Sequence, residues 1–191
     1  MADRLKVIAI GGSLRKGSYN AAVLRALPGL APPDMTIALG PTLAMPLYDQ
    51  DVQDQAGFPP EAHALCDAVR AADGVAIVSP EYNYSVPGFL KNGLDWVSRM
   101  PNQPFKNKPI VLMSATLGPL GGARVQYHLR QIMVFLEAFT FNRPEVFVGN
   151  AASKIDAAGA IHDETTLKFI RDELAGFAGF IRRIQAGHPA A

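Results

Sequence analysis

Gly11-Gly12-Ser13-Leu14-Arg15-Lys16-Gly17-Ser18-Tyr19-Asn20 follows directly on the apolar run Val7-Ile8-Ala9-Ile10. A second segment of the same construction, Ser79-Pro80-Glu81-Tyr82-Asn83-Tyr84-Ser85-Val86-Pro87-Gly88, follows Val75-Ala76-Ile77-Val78. Both runs are rich in β-branched residues and lack polar alternation, as strands do when helices cover both faces of a parallel sheet. Each segment then leads into a helical pattern. Parallel strands bring both loops to one sheet edge, where open α/β sheets bind their ligands.

Working outward, strand-like runs recur at Leu5–Gly11, Met35–Leu39, Gly74–Ser79, Pro109–Ala115 and Glu145–Val148. Helical periodicity separates them near Ser18–Leu27, Pro60–Ala72, Gly88–Met100 and Gly122–Phe139, with a last helix near Thr165–Gln185. The proline-rich stretches Pro28–Pro33 and Pro101–Pro109 read as surface loops. This alternation predicts an α/β doubly wound fold, a three-layer α/β/α sandwich forming one domain over residues 1–191. Five parallel strands and a modest length favour the flavodoxin-like order 2-1-3-4-5 over the dinucleotide order 3-2-1-4-5-6. In the former, strands 1 and 3 meet at the topological switch point, and the two loops follow those strands.

Composition narrows the partners. With 191 residues, 49% apolar and 18% charged, the chain is that of an ordinary globular protein. A formal net charge of +1 without a basic run argues against nucleic acid, and against a carrier that docks through an acidic face. The single cysteine, Cys66, excludes an internal disulfide and reads as a packed thiol on a helix. His63, His128, His162 and His188 show no metal-ligand spacing, so no metal is expected. Met1-Ala2-Asp3-Arg4 runs straight into the first strand without a secretory pattern, and no apolar stretch approaches the roughly 20 residues that span a bilayer. A cytoplasmic protein with no membrane contact is expected.

The first loop is built for a phosphate. Gly11, Gly12 and Gly17 let the backbone bend and present amides. Ser13 and Ser18 add hydroxyls beside Tyr19, Asn20 adds an amide donor, and Arg15 a permanently charged fork. A helix starting near Ser18 points its positive end at the anion. The lysine pair of a P-loop and a GxGxxG are both missing, which disfavours a nucleoside triphosphate or a Rossmann dinucleotide here. The plainer alternative is a polar turn in which Ser18 only caps a helix.

The second loop is built for a flat ring. Pro80 and Pro87 stiffen it from both sides. Tyr82 and Tyr84 supply faces and hydroxyls, Asn83 and the backbone supply donors, and Glu81 either meets ribityl hydroxyls or braces the loop. A third wall is the Ser114–Gly122 segment, with Ser114, Gly118 and Gly121 permitting close approach to a ring edge. Together the walls point to a planar phosphorylated cofactor, and noncovalent FMN fits best. Arg124 and Tyr84 are candidates for the nicotinamide and acceptor side. Alternatively, the aromatic loop seals the sheet edge or meets a partner.

Gly-Ser-Leu-Arg-Lys-Gly-Ser-Tyr-Asn at 12–20, Pro-Glu-Tyr-Asn-Tyr-Ser at 80–85 and Leu90-Lys91-Asn92-Gly93-Leu94-Asp95-Trp96 resemble the NAD(P)H-dependent FMN reductase family. With Gly121-Gly122-Ala123-Arg124, the chain looks most like the bacterial quinone and chromate reductase branch. The resemblance implies a flavodoxin-like fold and a homodimer or homotetramer. By position, Ser13, Arg15, Ser18 and Asn20 take the phosphate and residues 80–84 the ribityl chain and ring. It further implies ping-pong turnover, in which NADPH or NADH passes hydride to FMN and a quinone, or chromate, then takes the electrons. No dedicated catalytic side chain is required, because the cofactor carries the chemistry. Two rivals stay open: a flavin reductase that hands reduced FMN to a partner, and a flavodoxin-type carrier without nicotinamide activity. The apolar stripe Phe89, Leu90, Leu94, Trp96, Val97 and Met100 is wide enough to suggest that part of it meets another subunit.

Overall fold

Side-chain alternation along the central strands divides the interior into two cores. On β1 (Leu5–Gly11), Val7 and Ala9 face one way and Ile8 and Ile10 the other. The chain was analysed as a computed structural model that describes residues 4–187; the triplet Met1-Ala2-Asp3 and His188 lie outside the described residues. The remaining strands are β2 (Met35–Leu39), β3 (Gly74–Val78), β4 (Pro109–Ala115), β5 (Phe139–Thr140) and β6 (Val146–Val148). All pairings are parallel in the path β2-β1-β3-β4-β5, with β6 also pairing β4. This is the flavodoxin-like order, and Gly11 pairs with Val78, so the loops leaving β1 and β3 start side by side.

Among the described residues, six α-helices flank the sheet: α1 (Tyr19–Leu30), α2 (Gln50–Ala56), α3 (Pro60–Ala71), α4 (Gly88–Ser98), α5 (Ala123–Phe135) and α6 (Glu164–Gly187). The first core joins Val7, Ala9, Ala76 and Val78 to Val23 and Leu27 of α1 and Leu174 and Phe177 of α6. The second joins Ile8, Ile10, Ile77 and Leu112 to Leu65 of α3, Leu90 and Trp96 of α4, and Leu129 of α5. Each fully buried side chain of this kind contributes about 1.5–3 kcal/mol.

The structure amends the sequence reading at four places. The expected strand Glu145–Val148 forms as β6, but it is preceded by a two-residue strand, β5, where the helix near Gly122–Phe139 was expected to end, and Pro144, with no N–H to give a ladder, lies between the two. Arg130 spans the gap, donating to the Phe141 carbonyl (3.0 Å), Asn142 Oδ1 (3.0 Å) and Glu145 Oε1 (3.2 Å). Helix α1 continues through Pro28 to Leu30 instead of ending at Leu27; the proline is exposed and costs only one hydrogen bond near the helix end. The short α2 carries no buried residue, so no apolar periodicity announced it. The α4 stripe is used within the chain: Leu90, Leu94, Trp96 and Val97 are buried, with Phe89 packed against them. Cys66 is buried as expected, and burial pushes its thiol up.

Candidate functional site

At the carboxyl ends of β1, β3 and β4 the three loops enclose a cavity of about 280 Å³. It is lined by Ser13, Arg15, Ser18, Tyr19 and Asn20 from the first loop and α1, and by Pro80, Glu81 and Tyr82 from the second. Ala115, Thr116 and Leu117 complete it. Those last three residues were missed individually by sequence reasoning, which had the segment but chose Ser114, Gly118 and Gly121 within it. Alternation along β4 was the available signal, since it turns the strand's final residues in opposite directions.

Ser18 caps α1, its Oγ accepting from the Ala21 amide at 3.3 Å. The first-turn amides of Tyr19 and Asn20 precede the point at which intrahelical bonding begins, so the positive end of the helix opens on the cavity. Arg15 is exposed at the rim and has no ion pair among the described residues. The loop glycines differ from the expectation of special backbone angles, since none of Gly11, Gly12 and Gly17 has positive φ. Gly12 is needed for closeness: a Cβ there would lie 2.6 Å from Ser79 Oγ, whereas one on Gly17 would meet nothing within 4 Å.

Asn20 has a different role from the one its amide suggested. Its Nδ2 donates to the Ala115 carbonyl and its Oδ1 accepts the Ala115 amide, both at 2.8 Å. The side chain is buried and clamps the start of α1 to the end of β4, so it braces the cavity wall. Glu81 braces as well. Its carboxylate accepts from the backbone amides of Arg124 (3.0 Å) and Val125 (3.3 Å) and pairs with Arg124 Nη1 at 3.1 Å. It therefore supplies the cap that Gly122, in the left-handed region, cannot give α5. Its charge is spent there and does not oppose an anion at Arg15.

Ser114 is fully buried, its hydroxyl donating to the Gly121 carbonyl at 2.6 Å and accepting from Gln126 Nε2 at 2.8 Å. It is not among the residues lining the cavity, and its hydroxyl ties the third loop to α5. Gly121 (φ 60°) lies against Phe147, where a Cβ would come within 2.5 Å of the backbone, while Gly118 faces open space. These two shape the third loop without lining the cavity.

The second loop is a tight turn, with Tyr82 and Ser85 exchanging backbone hydrogen bonds at 3.0 Å and Asn83 and Tyr84 both in the left-handed region. Tyr84 is two-thirds exposed and carries the Arg124 guanidinium 3.7 Å above its ring. His128 Nδ1 lies 2.9 Å from Ser85 Oγ and holds the far side of the turn. Tyr82 and Leu117, each at least half exposed, give the cavity an apolar rim, and Leu14 and Leu120 stand exposed on the same first and third loops. The Leu90–Trp96 motif acts at a distance, because Asn92 and Trp96 both donate to the Pro46 carbonyl at 2.8 Å and pin the segment after β2. Among the described residues no group of metal-ligating side chains assembles, and no helix is long and apolar enough to cross a membrane.

Comparison with known proteins agrees with this geometry. The quinone reductase of Escherichia coli (strain K12) is 49% identical over 187 residues, covering 97% of this chain and all of that one. An NAD(P)H-dependent FMN reductase of Pseudomonas aeruginosa is 44% identical over 185 residues, with 97% and 100% coverage. Among solved structures, the flavoenzyme NAD(P)H:(acceptor) oxidoreductase FerB of Paracoccus denitrificans superposes with a TM-score of 0.83 at 30% identity, covering 94% of this chain and 98% of that one. The family model described as NADPH-dependent FMN reductase matches residues 5–153. On sequence and fold together, the chain belongs to the NADPH-dependent FMN reductase family.

Proposed function

We propose that this FMN- and NAD(P)H-dependent oxidoreductase acts on quinones, with FMN seated in the switch-point cavity. The observation that carries the proposal is the polarity of that cavity: a cation and a helix N-terminus at one end, and exposed Tyr82 and Leu117 at the other, with Tyr84 exposed beside them on the same loop. The donor set fits FMN. Arg15, Ser13 and the first-turn amides of α1 hold the phosphate, and the braced turn at residues 80–84 holds the ring. When bound, FMN supplies the two-electron chemistry, accepting hydride from NAD(P)H and passing it to the acceptor.

The chain's own part is orientation and exclusion. The Glu81 brace and the Ser85–His128 contact keep the ring loop from moving away from an incoming nicotinamide. Leu14, Leu117 and Leu120 cover the ring's surroundings and favour flat apolar acceptors such as quinones, the class named for the 49%-identical relative. Chromate is a further acceptor in this proposal. A second copy of the chain is proposed to pack on α5, where Tyr127, Val134 and Phe135 stand exposed.

The test is direct. The purified protein should be yellow, should bleach with NADPH or NADH in the absence of oxygen, and should recover its colour on adding a benzoquinone. Failure to bleach would leave a carrier. Loss of reduced flavin on a desalting column would indicate flavin release to a partner.

A further inference from the structure

A larger cavity, about 440 Å³, begins where the switch-point cavity ends. Arg15, Ser18 and Tyr19 border both, while Lys16 and Arg25 line only the larger one, opposite the turn at residues 156–159. Its charge is one-sided. Arg15, Lys16 and Arg25 converge on it, and among the described residues none of the three has an ion-pair partner. Asp156 is the sole carboxylate in the lining, and its Oδ1 accepts from the Ala160 amide at 2.8 Å, closing its own turn. Arg25 lies over Gly159, where a Cβ would sit 2.6 Å from its Nη2, so the glycine leaves the room that the guanidinium occupies.

With Arg15 serving the FMN phosphate, Lys16 and Arg25 border a space of nucleotide size whose one carboxylate, Asp156, is engaged by its own turn. Two cations bordering one cavity suit a dianionic phosphomonoester. The electron donor can bring such a group. A dinucleotide whose nicotinamide lies at the ring end extends its adenosine end away from the flavin, and of the two donors only NADPH carries a phosphomonoester there. We infer that the larger cavity holds the adenosine end of NADPH, with Lys16 and Arg25 on its 2′-phosphate, and that these residues set a preference for NADPH over NADH. The inference rests on the oxidoreductase proposal above.

The experiment has a binding arm and a kinetic arm, both on the FMN-loaded protein. Calorimetric titration should show adenosine 2′,5′-bisphosphate binding about ten-fold more tightly than ADP, one charge-assisted contact's worth. Lys16→Gln and Arg25→Gln should each raise the KM for NADPH while kcat holds, lowering the NADPH/NADH ratio of kcat/KM about ten-fold. Arg25→Lys should restore part of that ratio. Equal binding of the two nucleotides, or an equal rise in KM for both donors, overturns the inference. Loss of FMN absorbance in either glutamine variant overturns it too, by assigning that residue to the flavin phosphate. If neither donor bleaches the wild-type flavin, the oxidoreductase proposal fails, and the calorimetric arm still decides what the cavity binds.

Discussion

Glu81 and Arg124, 43 positions apart, are joined twice: the Glu81 carboxylate accepts the Arg124 backbone amide at 3.0 Å and pairs with its guanidinium at 3.1 Å. One carboxylate thereby caps α5, fixes the base of the ring loop and places the Arg124 side chain over Tyr84. The ring loop is tied to the start of α5 by it.

Removing that carboxylate should loosen the site as well as destabilise the fold. Glu81→Ala should cost about 2–3 kcal/mol, and Glu81→Gln, which keeps an acceptor, about 1 kcal/mol. Urea unfolding midpoints measure both. The cost comes chiefly from the two backbone amides, since the guanidinium is partly exposed and its ion pair is screened.

Arg15→Ala should raise the FMN dissociation constant about 10- to 100-fold, through loss of a charge-assisted phosphate contact. Quenching of flavin fluorescence on titrating the apoprotein reads this. Wild-type affinity in the variant would remove Arg15 from the phosphate site.

Asn20→Ala strands the Ala115 amide and carbonyl in a buried setting and should cost about 2–4 kcal/mol. Asn20→Asp should also be poorly tolerated, because a carboxylate would face the Ala115 carbonyl. Thermal unfolding with and without FMN separates the brace from direct ligand contact: a purely bracing residue lowers the melting temperature of both forms.

Gly12→Ala and Gly17→Ala should part company. The first places a methyl against Ser79 and should cost about 1–3 kcal/mol; the second meets open space and should be close to neutral. Equal effects would show that the loop's glycines are needed for flexibility and not for contact.

Glu173 on α6 is buried, and desolvation pushes its carboxyl well above the ordinary glutamate range. Because the folded state holds this proton more tightly than the unfolded chain, the contribution to stability is complete below the ordinary glutamate pKa. It is lost as pH rises toward the folded value. Glu173→Gln removes that dependence, so the variant should gain on wild type as pH rises from 5 to 8. Parallel denaturation curves at the two pH values decide it.

Much of this protein is legible in one dimension. Buried parallel strands announce themselves as unbroken β-branched runs, so β1 and β3 and the loops behind them were readable before any coordinates. The cavity's chemistry was readable for the same reason: Ser13, Arg15 and Ser18 carry their donors in their side chains, wherever the loop goes. The two-residue β5 and the short α2 were not readable, because neither buries a periodic face long enough to register.

Partnership is what the sequence could not state. A free amide on Asn20, a free carboxylate on Glu81 and a free hydroxyl on Ser114 look like ligand groups in a list of residues. In the fold, Ala115, the start of α5 and Gly121 have already claimed them. The reason is physical: a polar group's availability depends on which unsatisfied backbone groups folding brings beside it. Residue types and order determined the strand-loop-helix plan and the donors of its first loop. Only tertiary structure decided which polar side chains face the cavity, which hold its walls, and that Lys16 and Arg25 border one cavity without an ion pair among the described residues.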